Sequence, residues 1–174
     1  MQLKTERLII RELTIDDAPF IKTLLNTEGF KQNIADRGVD TIEKAQKEII
    51  DRYSTGYPNF GFFAVFLKST NHPIGGVTLI DRDQLEFPDL GYAFLPEFEG
   101  QGYALESSLK LRDWAVENGH PTLCAIVQED NTPSIRLLQR LDFKAKGTKD
   151  LTDPDETLLY FEYTHCPLNT NTAL

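Results

Sequence analysis

The stretch that most constrains this chain is residues 89–117, DLGYAFLPEFEGQGYALESSLKLRDWAVE. Asp89-Leu90-Gly91-Tyr92-Ala93-Phe94-Leu95 has the short apolar and aromatic character of a buried strand. Pro96 ends it, because a proline has no amide hydrogen with which to continue a ladder. Glu99-Gly100-Gln101-Gly102-Tyr103-Ala104 then reads as a glycine turn. A helix-forming run follows to Glu117, with Glu106 and Lys110 spaced as a favourable i,i+4 pair. The first turn of such a helix carries unpaired N–H groups and the positive end of the helix dipole. Glycines there let a phosphate reach the backbone with no Cβ in the way. The turn at 99–104 is therefore either a pyrophosphate cradle or an ordinary strand-to-helix connection. It is not a Walker loop, since Tyr103-Ala104 follows Gly102 where Lys-Ser/Thr is required. It also fits a dinucleotide fingerprint poorly, since Leu105 stands where a third small residue belongs.

The rest of the chain alternates in the same way. Leu8-Ile9-Ile10-Arg11-Glu12-Leu13 reads as a first strand. Thr14 is a suitable cap for a following helix that carries Ile15, Ala18, Ile21, Leu24 and Leu25 at helical spacing, with Asp16 and Asp17 in its first turn. Residues 27–41 are polar and irregular, and Thr41 opens a second helical pattern over 42–53. Phe60-Gly61-Phe62-Phe63-Ala64-Val65-Phe66-Leu67 and Ile74-Gly75-Gly76-Val77-Thr78-Leu79-Ile80 are apolar strands. The short turns linking them imply an antiparallel meander. His72 lies in one such turn with no Cys, His or carboxylate cluster around it, which argues against a metal ligand.

After the helix stop Asn118-Gly119-His120-Pro121, the strand–turn–helix construction recurs. Leu123-Cys124-Ala125-Ile126-Val127 is a buried strand. Pro133 suits the first position of a helix capped by Asn131 or Thr132, with Ile135, Leu138 and Leu141 on its apolar face. Lys144-Ala145-Lys146-Gly147 and Leu158-Leu159-Tyr160-Phe161-Glu162-Tyr163 form a closing hairpin across a loop rich in Asp and Pro.

Length and composition set outer limits. The chain has 174 residues, 40% of them hydrophobic, which is enough for one domain with a sizeable core. We expect that domain to span residues 1–166, followed by a polar tail at 167–174. The formal net charge of −9 argues against a nucleic-acid-binding surface and favours cationic partners or plain solubility. Two cysteines, Cys124 and Cys166, do not make a disulfide framework. There is no apolar leader and no run long enough to span a membrane, so a reducing, cytoplasmic setting is expected.

Two motifs in order carry a resemblance to a known family. Glu99-Gly100-Gln101-Gly102-Tyr103-Ala104 resembles the acetyl-CoA-binding pattern Gln/Arg-x-x-Gly-x-Gly/Ala of the GNAT superfamily of N-acetyltransferases. Gly102 and Ala104 match, and Glu99 departs from it. Asn131-Thr132-Pro133-Ser134-Ile135-Arg136-Leu137-Leu138-Gln139-Arg140-Leu141-Asp142-Phe143 resembles the family's Asn-x-x-Ser-x-x-x-Leu-x-x-x-Gly-Phe. Asn131, Ser134, Leu138 and Phe143 match. Asp142 replaces a glycine that would be left-handed, a conformation aspartate tolerates better than most residues. Thr5-Glu6-Arg7-Leu8, Arg11 and Leu90-Gly91-Tyr92 are similar to the branch that includes the ribosomal-protein N-terminal (alanine/serine) acetyltransferases. The resemblance spans about residues 5–164.

It implies the mixed α/β GNAT fold. That is a central, mostly antiparallel sheet of about seven strands flanked by about four helices, splayed between the fourth and fifth strands. It also implies acetyl transfer from acetyl-CoA to an amine acceptor, directly; no metal, nucleic acid or membrane is expected beside it. Monomer and homodimer both remain open. By the same resemblance, the backbone of Gly100, Gln101, Gly102, Tyr103 and Ala104 holds the pyrophosphate. Phe94, Leu95 and Asn131 hold the pantetheine arm. Ser134 stabilises or protonates the leaving thiolate, and Tyr160 and Tyr163 are open as alternative acids. Asp89, with Glu86 close by, takes the place of a base. Residues 27–41 are either a specificity loop or a plain connector.

The base matters less for some acceptors than for others. An α-amine of pKa about 8 is roughly a tenth neutral at pH 7, whereas a lysine near ~10.4 is below about 0.1%. A site without an obvious base therefore suits an α-amine. Two other readings are a non-catalytic acyl-CoA-binding relative, motivated by Glu99 and Asp142, and a nucleotide-binding module built on the 99–104 loop.

Overall fold

The computed structural model describes residues 1–151 and 157–166. The expected polar tail and the Asp/Pro-rich loop lie outside these residues. Eight strands form one sheet: β1 (Gln2–Lys4), β2 (Leu8–Glu12), β3 (Gly61–Leu67), β4 (Pro73–Ile80), β5 (Asp89–Phe94), β6 (Thr122–Val127), β7 (Lys144–Asp150) and β8 (Thr157–Thr164). Their order is β1-β2-β3-β4-β5-β6-β8-β7. All neighbours are antiparallel except β5 and β6. The helices are α1 (Ala18–Leu25), α2 (Glu28–Asn33), α3 (Ile42–Glu48), α4 (Tyr103–Glu117) and α5 (Thr132–Arg140).

The apolar pattern of the strands explains the layers. β3 reads FFAVF with both faces buried, so helices must cover the sheet on both sides. On one side Leu8, Ile10, Phe63, Val77, Leu90 and Phe94 pack with Leu111 and Ala115 of α4 and Leu138 of α5. On the other, Phe62, Ala64, Phe66 and Leu95 pack with α1, Phe30 of α2 and Ala45 of α3. Beyond β5 the second face carries, among the described residues, a small cluster of Leu85, Cys124 and Tyr160.

The strand count exceeds the expected seven because β1 pairs with β2 as a short hairpin. Three residues are too few to show a period of two. The 27–41 segment is also less irregular than its composition implies. Thr27 caps α2 by accepting from the Phe30 amide, an N-terminal signal that the polar sequence obscured. Thr14 caps as expected, in a capping box with Asp17. The chain there first makes a 3-10 turn (Ile15–Asp17), which turns Ile15 outward at 46% exposure instead of onto the apolar face. The 42–53 helix is α3 continued by a π turn (Ile49–Tyr53). That turn buries Ile49 and leaves Ile50 55% exposed.

Asp142 adopts φ +64, the left-handed conformation its place in the motif calls for. The Phe143 amide donates to the Leu138 carbonyl at 3.0 Å and the Asp142 amide to the Gln139 carbonyl at 3.1 Å. This is the paired arrangement that normally uses glycine to end a helix.

Candidate active site

The site is built where β5 and β6 part. They are paired at Asp89↔Cys124 alone, with the Cys124 amide donating to the Pro88 carbonyl at 2.9 Å. The Leu95 amide donates to the Ile74 carbonyl of β4. In an antiparallel pair, residues exchanging bonds alternate with residues whose backbone points the other way. The backbone N–H and C=O of Tyr92 and Phe94 therefore face the gap left by β6. A thin polar chain can add to this edge as a strand would.

The glycine turn stands at the open end of that gap. Gly100 and Gly102 have φ +70 and +83, where a side chain is strained. Gly102 is the residue preceding α4, and no side chain caps that helix. The amides of Gly100, Gln101, Gly102, Tyr103, Ala104 and Leu105 find no partner among the hydrogen bonds of the described residues. They form a concentrated set of donors at a positive helix terminus. The Gln101 side chain is occupied elsewhere, donating to the Glu97 carbonyl at 2.9 Å.

Arg7 reaches this turn from the opposite end of the chain. Its guanidinium lies 4.4 Å from the centre of the Tyr103 ring and donates to the Gln101 carbonyl at 3.1 Å. It also donates to Glu106 at 2.7 Å. Glu106 further accepts from the Thr5 hydroxyl and the Arg7 amide. Glu106 thus pairs with the β1–β2 hairpin rather than with Lys110, contrary to the expected i,i+4 pair. Burial raises the Glu106 carboxyl, but the bonds from Thr5 and Arg7 outweigh it and hold the group below its usual range.

Ser134 lies in the first turn of α5. Its amide donates to the Asn131 side-chain carbonyl at 3.2 Å, so Asn131 caps the helix with its oxygen and keeps its amide nitrogen for another partner. The Ser134 hydroxyl lies near enough to the phenol of Tyr92 to act on it electrostatically. Tyr92 alternates with Leu90 and Phe94 on the α5 face of β5, the period-2 signal that could have linked it to Ser134 from sequence. Burial pushes the Tyr92 phenol up, the nearby Ser134 hydroxyl draws it back, and Glu99 adds to the rise, so the net shift is upward. Tyr92 keeps its proton at neutral pH. Tyr160 instead packs on the opposite face with Cys124, and Tyr163 packs on Phe143 beneath Arg112.

Asp89 has its side chain on the face opposite Tyr92. It is 5% exposed and accepts from Arg82 Nε at 2.7 Å, while the nearby Ile126 amide of β6 also favours its charged form. Burial raises its carboxyl against the opposing pull of Arg82. Its neighbour Cys124 donates to the Phe87 carbonyl at 3.0 Å, and burial pushes that thiol up to about 12. Cys124 is therefore a core residue and not a nucleophile. Among the described residues no cluster of metal-ligating side chains occurs, and no helix is long and apolar enough to cross a membrane.

A splayed mixed sheet with a donor-lined turn at its mouth defines the class, and the comparisons agree with it. Residues 7–144 match the family described as the acetyltransferase (GNAT) domain, and the chain belongs to that family. Over 157 residues it is 29% identical to the uncharacterized N-acetyltransferase p20 of Bacillus licheniformis, with 83% of each chain covered. It superposes on an acetyltransferase (GNAT family) from Bacillus anthracis with a TM-score of 0.78 and 23% identity, over 94% of this chain and 98% of that one. It also superposes on RimL, a ribosomal L7/L12 alpha-N-protein acetyltransferase in complex with coenzyme A. That match has a TM-score of 0.81 and 17% identity, over 95% of this chain and 98% of that one. At these identities the structural likenesses speak to the fold. Acetyl transfer is the chemistry of the family.

Proposed function

We propose that the protein transfers an acetyl group from acetyl-CoA directly to a primary amine, and that the acceptor is an α-amine. The observation that carries this reading is the gap between β5 and β6, lined by the outward backbone of Tyr92 and Phe94 and closed at one end by the unpartnered amides of 100–105. A long acyl carrier with a diphosphate at one end and a polar amide arm fits both features. The amides of Gly100, Gln101, Gly102, Tyr103 and Ala104 would hold the pyrophosphate. The edge at Phe94 and Leu95 and the Asn131 amide would hold the arm, with the Leu95 amide itself committed to β4. Glu99 stands where relatives place Gln or Arg, and Arg7 supplies a cation beside the same turn. Acetyl-CoA brings an activated thioester. The chain's own work is to orient it, to keep a proton ready for the departing sulfur, and to admit a neutral amine.

We assign the proton to Ser134, backed by the phenol of Tyr92. Side by side at the gap, the two hydroxyls would relay one proton, and both stay protonated at neutral pH. Asp89, the candidate base by position, is tied to Arg82 and to β6. We assign it the task of holding the two strands together at the last point before they part. The amine then arrives neutral from solvent, which favours an α-amine over a lysine. The test is thiol release with acetyl-CoA and a peptide bearing a free N-terminus. We expect kcat/KM to rise with pH and level off near about 8. Efficient acetylation of internal lysines, with none at free N-termini, would overturn the acceptor assignment. A second reading, CoA binding without turnover, draws on Glu99 and would show as tight CoA binding with no thiol released by any amine.

A further inference from the structure

The cradle's own residues do little to hold its shape. Its backbone turns through two left-handed glycines, Gly100 at φ +70 and Gly102 at φ +83, and glycine is the residue least confined by its own sterics. A Cβ built on Gly100 would meet nothing within 4 Å, so that side of the turn stands open. A turn whose amides are kept for a ligand also gives up the hydrogen bonds that would ordinarily fix it.

Arg7 supplies a hold from outside. Its Nη1 donates to the Gln101 carbonyl at 3.1 Å, between the two glycines. Its Nη2 stands 3.3 Å from where a Cβ on Gly102 would be. The peptide joining Gln101 to Gly102 is trans, so its N–H and C=O point in opposite directions. Pinning the carbonyl to Arg7 therefore aims the Gly102 amide to the other side.

The guanidinium is itself anchored. Its Nε donates to Glu106 at 2.7 Å, and its centre lies 4.4 Å from that of the Tyr103 ring. Glu106 is held in turn by the Arg7 amide at 3.0 Å and by the Thr5 hydroxyl. Tyr103 and Glu106 both lie in the first turn of α4. The β1–β2 hairpin thus grips the helix at one point and the turn before it at another, across 94 residues of sequence.

We propose that Arg7 is a positioning residue for the cradle. By holding the Gln101 carbonyl, with Glu106 as its anchor, it keeps the turn at Gly100–Gly102 in the form that receives the carrier's diphosphate. This rests on the acetyl-CoA reading above.

The test separates holding from charge. Backbone order at Gly100, Gln101 and Gly102 is read by amide nitrogen relaxation in the free protein, and CoA affinity by calorimetry. Wild type is compared with Arg7→Ala, Arg7→Lys and Glu106→Gln, each checked for folding by circular dichroism; should Arg7→Ala not fold, the two milder variants decide. Wild type should show order parameters near about 0.85 in the turn, falling below about 0.6 in the variants, with residues 109–115 of α4 unchanged. CoA should bind each variant roughly tenfold more weakly, since freezing one residue's backbone on binding costs about that factor. Arg7→Lys keeps the charge but not the fork, and Glu106→Gln removes a negative charge beside an anionic ligand. Charge alone would therefore leave the first unharmed and make the second bind more tightly. Either of those results, or a turn that stays ordered in the variants, overturns the proposal. Wild type that fails to bind CoA strikes the acetyl-CoA reading instead, while the relaxation data still decide whether Arg7 holds the turn.

Discussion

Ser134 and Tyr92 show how much of a site can hang on a pair that sequence displays as two separate residues. Acting as a unit, they should respond to substitution as one. Ser134→Ala and Tyr92→Phe should each lower kcat by about a hundredfold, with the double variant little worse than either and the acetyl-CoA affinity kept. Additive losses in steady-state kinetics would deny the coupling. Other residues govern stability against acid. Burial raises the Asp17 carboxyl, but the bidentate bonds from Arg11 at 2.8 and 2.9 Å and those from Thr14 outweigh it, so its folded value lies below the ordinary 3.8. Such a group adds stability that is fully present above its unfolded value and fades as pH falls through the folded one. Asp17→Asn should therefore destabilise by about 2 kcal/mol at pH 7 and much less near pH 3, as thermal melts at the two values will show. At this scale the sequence showed Asn131 and Ser134 through their spacing, and the turn-forming fitness of Asp142. It hid Arg7 and Glu106, which meet across 99 residues, because no local pattern links a hairpin arginine to a helix glutamate.

Elements were legible where burial is two-sided or a cap is explicit. β3, β4, β5 and β6 are short apolar runs bounded by glycine and proline, and α5 opens with Asn131 and Pro133. β1 and α2 escaped notice for the opposite reason, being too short or too polar for periodicity to register. The end of α5 offers a measurable case. Asp142 at φ +64 is strained relative to glycine, and its only described ion pair is to Arg112 at 3.4 Å from an exposed carboxylate, which contributes little. Asp142→Gly should raise stability by about 0.5–1 kcal/mol in denaturant unfolding. A loss of stability would mean that the Arg112 contact outweighs the backbone strain. The cradle before α4 depends on the same geometry used for a different end, with Gly102 left-handed so that the amides after it stay free.

For the molecule as a whole, the two helical layers divide the labour. α4 and α5 cover the face beside the edge proposed for the acyl carrier, and α1–α3 cover the opposite face. The fold class and the place of the splay were readable through the family resemblance that the two motifs, in order, carry. The acceptor side was not, because the segment at 27–41 and the helices beside it carry no motif that names a partner. The account stands or falls on the carrier. Calorimetric titration of the purified protein with acetyl-CoA, alongside Gly102→Glu, puts a side chain and a negative charge into the cradle, next to a Cβ position 3.3 Å from Arg7. We predict micromolar binding by the wild type and none by the variant, with both folded by circular dichroism. No binding by the wild type, or binding untouched in Gly102→Glu, would contradict it.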